Sequence, residues 1–422
     1  MKKSIKFCTK LLAAILTGAI LTIGAAAESS GFSCEKELAL PVKSPFDPKY
    51  VAVLWNTESN EDVGLPLTYG GSALLPQGKT VTLLSEKEGA ELGKAQLSET
   101  VSAKYKGAVL GNTVIQPTET GLAVINAQTM ETVSFRDFGA AVCSDAAIID
   151  NLCYIAVEDG EGCRYICADM SQGLSTVWEY AANAPVSSLS AYGGFVLFTA
   201  GETLVCCDYK TGEAVENPLG ITPVGNPFSG EYAVYTSADD GCVYKLRLNS
   251  DGTVEEGSLT PCQVGGELST PVQWDGSLYV SSTNGVYIID SLNMDIAFTL
   301  PEMKGASAPL VCYGNGTRVY VVAPFEDYMC LYSIHFEDDM ESPVTAQLAK
   351  LKQFENGVFT AGENGTMYFR DDIGKLYAFA AAEYNIWLII AKIVLFLALI
   401  VMVIILLWQL LKKRNAGRPP QY

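Results

Sequence analysis

Few side chains in this 422-residue sequence are equipped for chemistry, and their types limit what that chemistry is. His335 is the single histidine, which excludes a His-rich metal site and any mechanism needing two histidines. It ends a strand at a position where comparable segments carry Asp or Asn, so turn capping is the expected role. A catalytic base would need partners, and none can be identified. The vicinal pair Cys206-Cys207 lies mid-strand in Leu204–Asp208, where neighbouring side chains face opposite sides of a sheet. Both thiols are expected to be reduced and buried as small core residues. The chain has 12 cysteines, and removing Cys8 with a leader leaves an odd number, so at least one thiol is unpaired or bonds another chain. Cys153 and Cys167 fall on adjacent strands and are the candidate cross-strand disulfide, subject to Cβ geometry. There is no CxxC pair and no ligand cluster, so zinc is not expected. The acidic turns Asn249-Ser250-Asp251-Gly252 and Glu337-Asp338-Asp339 carry calcium-ligand types, but the same residues suit solvated hairpin turns. No residue set carries a convincing reaction: no catalytic, cofactor-binding or metal residues are assigned.

The elements that would position these residues recur at regular distances. A strand of the form aliphatic-Tyr-x-aliphatic-Asp, followed by a turn ending in Gly, is clearest at Val286–Asp290 and at Leu204–Asp208 with Tyr209-Lys210-Thr211-Gly212 behind it. Weaker copies begin at Val81, Leu122, Tyr165, Val243, Leu331 and Leu376, at successive spacings of 41, 43, 39, 39, 43, 45 and 45 residues. A period near forty with only strand signals predicts β-propeller blades of four strands each. A sandwich would not hold a constant period, and the 3.6-residue stripe of helical repeats is missing. The sixth copy is the template, with strands at Ser269–Trp274, Ser277–Ser282, Gly285–Asp290 and Asp295–Leu300. The turn Thr283-Asn284-Gly285 supplies the positive φ of a tight hairpin.

The last copy, Gly357–Gly362, Thr366–Asp371 and Lys375–Phe379, lacks an outer strand. An orphan strand, Val51–Thr57, precedes the first full blade. Pairing the two predicts an all-β, eight-bladed propeller closed by its N-terminal strand and occupying residues 50–380. The hairpin and turn at Val286–Asp290 and Leu204–Gly212 resemble the repeat of pyrroloquinoline-quinone-like propellers. That family includes quinoprotein alcohol dehydrogenases and the barrel-assembly lipoprotein propeller of Gram-negative outer membranes. The resemblance covers roughly four-fifths of the chain and specifies fold far better than function. In the dehydrogenases it implies a vicinal disulfide over the quinone and a calcium held by Glu, Asn and a catalytic Asp. Here the strand placement of Cys206-Cys207 argues against that disulfide, and no tryptophan-docking repeat or calcium constellation can be matched. The marks of WD, kelch and sialidase repeats are not apparent.

Charge and hydropathy at the two ends differ from the middle. Lys2, Lys3, Lys6 and Lys10, the apolar run Leu11–Ile23 and the small residues Ala25-Ala26-Ala27 predict a signal peptide, 1–27, cleaved between Ala27 and Glu28. A linker, 28–49, follows. Ile386–Leu411 is apolar except for Lys392 and Gln409, and at 26 residues is long enough for a transmembrane helix, 386–411. Trp387 and Trp408 mark its interfaces, and Lys412, Lys413 and Arg414 open a basic tail, 412–422, expected to be cytoplasmic. The middle, 28–384, keeps 19 basic against 47 acidic residues, a net of −28. Such acidity repels phosphate backbones, so nucleic acid is excluded as a partner. The expected protein is a single-pass bacterial cell-membrane protein with its propeller outside the cytoplasm. Its expected role is a non-catalytic scaffold for another membrane or envelope protein or polymer, with no cofactor. The alternative is a quinone-dependent or carbohydrate-acting enzyme with its site at the propeller funnel.

Overall fold

The computed structural model describes residues 42–43, 51–58, 62–313, 318–336, 342–351, 357–361, 366–381, 394–396 and 400–405. The eight sequence copies fall on the third strands of eight antiparallel sheets: Thr80–Leu84, Gly121–Asn126, Gly162–Asp169, Thr203–Asp208, Cys242–Leu246, Gly285–Asp290, Tyr328–His335 and Leu376–Ala381. In blade six the strands are Val272–Trp274, Ser277–Ser282, Gly285–Asp290 and Asp295–Leu300, so only the inner strand starts later than expected. The hairpin turn there places Gly285 at φ +145°, and a Cβ would meet the Leu300 carbonyl oxygen at 2.6 Å.

The core is divided. Among the described residues, eight apolar clusters occur, one at each blade-to-blade interface. Each inner sheet face therefore packs on the preceding blade and the opposite face on the next, which is why the third strands read as continuous apolar runs. In Thr203–Asp208, Val205 and Cys207 pack toward blade three, while Leu204 and Cys206 pack toward blade five. Tyr368, Leu376 and Ala378 of blade eight likewise meet Val63, Ala73, Leu75 and Leu84 of blade one.

The fourth position of the eighth sheet is held by Val51–Asn56, beside Leu376–Ala381. The Thr57 amide donates to the Leu376 carbonyl at 3.0 Å, and the Leu376 amide donates to Thr57 Oγ1 at 3.0 Å. Val53 packs on the cluster shared by blades seven and eight, and Trp55 on that shared by eight and one. Two residues from the expected linker also join the propeller: Val42–Lys43 pairs in parallel with the inner strand of blade seven, Leu310–Tyr313.

Two tryptophans dock between blades, which the sequence pattern had not revealed. Trp178, on the outer strand of blade three, lies on Gly212 of the next blade's turn and donates from Nε1 to the Tyr209 carbonyl at 3.1 Å. Trp55 repeats this on Gly89 of blade one, donating from Nε1 to the Glu86 carbonyl at 2.9 Å. Both glycines have positive φ, +73° and +66°. The copies sit 123 residues apart along the chain, and the other blades use different side chains, so no short-period signal exists.

Residues 381–422 form a second unit. Its described parts, 394–396 and 400–405, are α-helical and leave Leu395, Phe396 and Ile404 exposed. Among the described residues no helix is long and apolar enough to cross a membrane. Ala27 and Glu28 of the expected cleavage site, and Trp387, Trp408, Lys412, Lys413 and Arg414 of the expected anchor, lie outside the described residues.

Candidate functional site

Antiparallel order within each blade places the inter-blade connections and the turns between second and third strands at one end of the disc. There the incoming connections of blades one, two, three, four and six each add a single bridge to the second strand: Val63 to Gln77, Val101 to Thr118, Val142 to Val157, Val186 to Ala200 and Leu268 to Ser282. The serine that follows in blades three, four, six and seven repeats one function. Ser144, Ser187, Ser269 and Ser307 accept through Oγ from the amides of Ala156, Thr199, Ser281 and Val322, at 2.8–3.0 Å. A small hydroxyl suits a buried position whose neighbouring backbone donor needs an acceptor.

The next residue in each connection links the blades. The Lys106 amide donates to Asp145 Oδ1 at 2.7 Å, and the Asp145 amide to Ser188 Oγ at 2.8 Å. The Ser188 amide donates to Asn226 Oδ1 at 3.0 Å, and the Asn226 amide to Thr270 Oγ1 at 3.3 Å. A chain of side-chain acceptors thus runs through blades two to six. Beside it opens a cavity of about 340 Å³ lined by Asp62, Ser102, Lys104, Glu119 and Ala141. Asp62, Lys104 and Glu119 give this half-open cleft both signs of charge on an otherwise largely apolar lining.

Burial pushes the Asp145 carboxyl up, against the opposing pull of the Lys106 amide and Ser188. Its proton uptake therefore stabilises the fold at low pH, and that contribution is lost as pH rises above the ordinary 3.8 through the raised folded value. Asp145→Asn keeps an acceptor for Lys106. We expect it to match wild type near pH 4 and to be the more stable protein near pH 8, by urea unfolding at both values. An equal difference at both pH values would contradict the shift. The turn aspartates behave oppositely. Asp290 and Asp137 have carboxyls held down chiefly by backbone amides, and stability from them is lost as pH falls.

The sequence-selected residues are not gathered at this end. Cys206 and Cys207 are fully buried on opposite faces, and burial pushes both thiols up to about 12. A vicinal disulfide cannot form across that strand geometry. Register speaks against the candidate Cys153–Cys167 bridge: the hairpin pairs Asp159 with Gly162, which sets Cys153 opposite Ala168 and Cys167 opposite Tyr154. The two thiols then point to different blade interfaces, and both are free. His335 ends the third strand of blade seven, paired with Val344. In the Asn249–Gly252 turn, Asp251 accepts from the Thr253 amide and hydroxyl, a self-capped hairpin. Residues 337–339 lie outside the described residues, and among the described residues no cluster of three potential metal ligands occurs.

The serine and acceptor chain was not anticipated, although Ser144-Asp145 and Ser187-Ser188 stand 43 residues apart ahead of apolar strands. No family model matches the chain, and no curated protein does. Solved structures do. BamB from Moraxella catarrhalis superposes with a TM-score of 0.59 at 14% identity, over 79% of this chain and 99% of that one. A europium-containing methanol dehydrogenase gives 0.59 at 10% identity, over 84% and 99%. A quinohemoprotein alcohol dehydrogenase from Comamonas testosteroni gives 0.59 at 9%, over 80% and 78%. The chain has the fold of the pyrroloquinoline-quinone-like β-propellers. Within that fold, Trp55 and Trp178 dock at two of the blade interfaces.

Proposed function

We propose that this propeller is a non-catalytic scaffold that binds another protein of the cell envelope through the polar end described above. The proposal includes closure of the ring by Val51–Asn56 and tethering by 386–411, with the propeller on the extracytoplasmic face and the basic tail inside. One observation carries the non-catalytic reading. Cys206 and Cys207 belong to two separate blade interfaces, so the sulfur pair that a quinoprotein would place over its cofactor is built into the core instead. The fold likeness to BamB and to two dehydrogenases is equal in TM-score and does not decide between them. The mixed-charge cavity and the −28 middle segment favour a polar, basic partner surface.

Purified full-length protein mixed with pyrroloquinoline quinone and calcium tests the enzyme reading. The expected result is no quinone absorbance retained after gel filtration and no dye-linked alcohol oxidation; retention with turnover would reverse it. Cross-linking in intact cells followed by capture is expected to yield a membrane or envelope protein. Capture should weaken as salt is raised, because exposed charges are screened within about 8 Å at physiological ionic strength. A salt-independent complex would point to an apolar interface.

A further inference from the structure

At the same end of the propeller, two thiols that no sequence pattern had paired meet. Cys143 lies in the connection from blade two to blade three, and Cys163 is the second residue of the third strand of blade three. Their Sγ atoms are 3.0 Å apart. Both backbones are already fixed: the Cys143 amide donates to the Ala156 carbonyl at 2.9 Å, Val142 bridges Val157, and Cys163 pairs with Glu158 and Ala182. Bonding the sulfurs therefore requires closing about 1 Å between side chains held on two fixed stretches of backbone. Other neighbouring cysteines do not share this arrangement. Cys153 and Cys167 are one position out of register, and so are Cys242 and Cys262.

We propose that Cys143 and Cys163 form a disulfide that staples the blade two-to-three connection to blade three. That connection supplies Ala141 to the cavity and Asp145 to the chain of acceptors, so the staple fixes the rim of the candidate binding site. Cys143 is half-buried and Cys163 buried, which sets the order of events. The Cys143 thiolate attacks a disulfide-bearing oxidant, such as oxidised glutathione or an oxidase's disulfide, and one thiol leaves. Cys163 then attacks the Cys143 sulfur and expels the second thiol. The two protons lost by the cysteines pass to the two leaving thiols, and the two electrons end on the oxidant's sulfurs.

Burial, Cys163 and Glu158 push the Cys143 thiol up, and Lys104 opposes them. Burial thus keeps Cys143 largely protonated, so its attack on the oxidant should quicken as pH rises. Only the supply of oxidant in the cell rests on the extracytoplasmic placement. The closing chemistry does not.

The test uses the full chain, purified reduced and incubated in a glutathione redox buffer, then unfolded in N-ethylmaleimide and digested. Trypsin releases Asp137–Arg164, which holds Cys143, Cys153 and Cys163 with no internal Lys or Arg. The expected peptide carries one maleimide, on Cys153, and its other two thiols are replaced by a bridge about 2 Da lighter. Further cleavage after Glu158 should leave the two pieces joined through Cys143 and Cys163. Cys143→Ser should return Cys163 to full maleimide labelling and remove the oxidant-dependent rise in unfolding temperature. Three maleimides on the wild-type peptide, or a bridge that includes Cys153, would overturn the proposal. A pair that closes in glutathione but is found reduced in intact cells would support the bridge chemistry and count against the extracytoplasmic placement alone.

Discussion

Trp178→Ala is expected to lower the unfolding free energy by about 3–5 kcal/mol, the range for removing a large buried aromatic side chain. The indole is 8% exposed and packs beside Tyr154, ring centroids 5.8 Å apart. It also donates to the Tyr209 carbonyl, which Tyr154 Oη approaches at 2.9 Å. Truncation leaves a cavity at the blade three-to-four interface and removes one of those two donors. Gly212→Ala attacks the same contact from the other side. A Cβ there would lie 2.5 Å from Trp178 Cγ, at the root of the ring where the side chain cannot swing away, and φ is +73°. The left-handed conformation alone costs about 1–2 kcal/mol. In the double variant the ring atoms are gone and only the Cβ of residue 178, 2.8 Å away, still crowds the new methyl, so the cost on top of Trp178→Ala should be smaller than that of Gly212→Ala alone. Urea unfolding followed by far-UV circular dichroism measures the cycle. Strictly additive effects would show that the indole and the glycine turn are not in contact.

Breaking the strand Val51–Asn56 is expected to have the second large effect. Val53→Pro removes a backbone donor from the strand, and Trp55→Ala removes the indole that rests on Gly89 and lies 5.8 Å from the Tyr368 ring. The double variant should lose at least about 3 kcal/mol, because a large aromatic and strand pairing are lost together. It should also expose Leu376–Ala381 as a free edge, with faster proteolysis there and a tendency to associate. Trp55→Phe, which keeps most of the ring contact, should lose much less. If the double variant unfolds at the wild-type urea midpoint with an unchanged cleavage pattern, the strand does not close the ring.

What was legible in the sequence is the part governed by local periodicity. Each third strand is buried on both faces, so its aliphatic run recurs with every blade, the Asp-to-Gly turn following it in blades three and four, and eight copies give eight sheets. Strand alternation has a period of two, which suffices to send Cys206 and Cys207 to different interfaces. For the orphan strand the sequence offered only an argument, that the last copy lacks an outer member and a sheet edge invites pairing.

The remainder depended on one-residue register and on contacts between blades. A two-residue hairpin turn decides that Cys153 faces Ala168, although spacing alone allowed Cys167. Connections of differing length and conformation bring Cys143 to Cys163 and align Asp145, Ser188, Asn226 and Thr270 into one chain of acceptors. Trp55 and Trp178 serve the same purpose at positions far apart in the chain, each recognisable only by the glycine it covers in another blade. The sequence by itself determined the repeat, the number of blades and which strands are buried, because burial on two faces writes itself into every copy. Only the tertiary structure decided which thiols meet and which polar groups link neighbouring blades, because those depend on where separate blades bring their connections together in space.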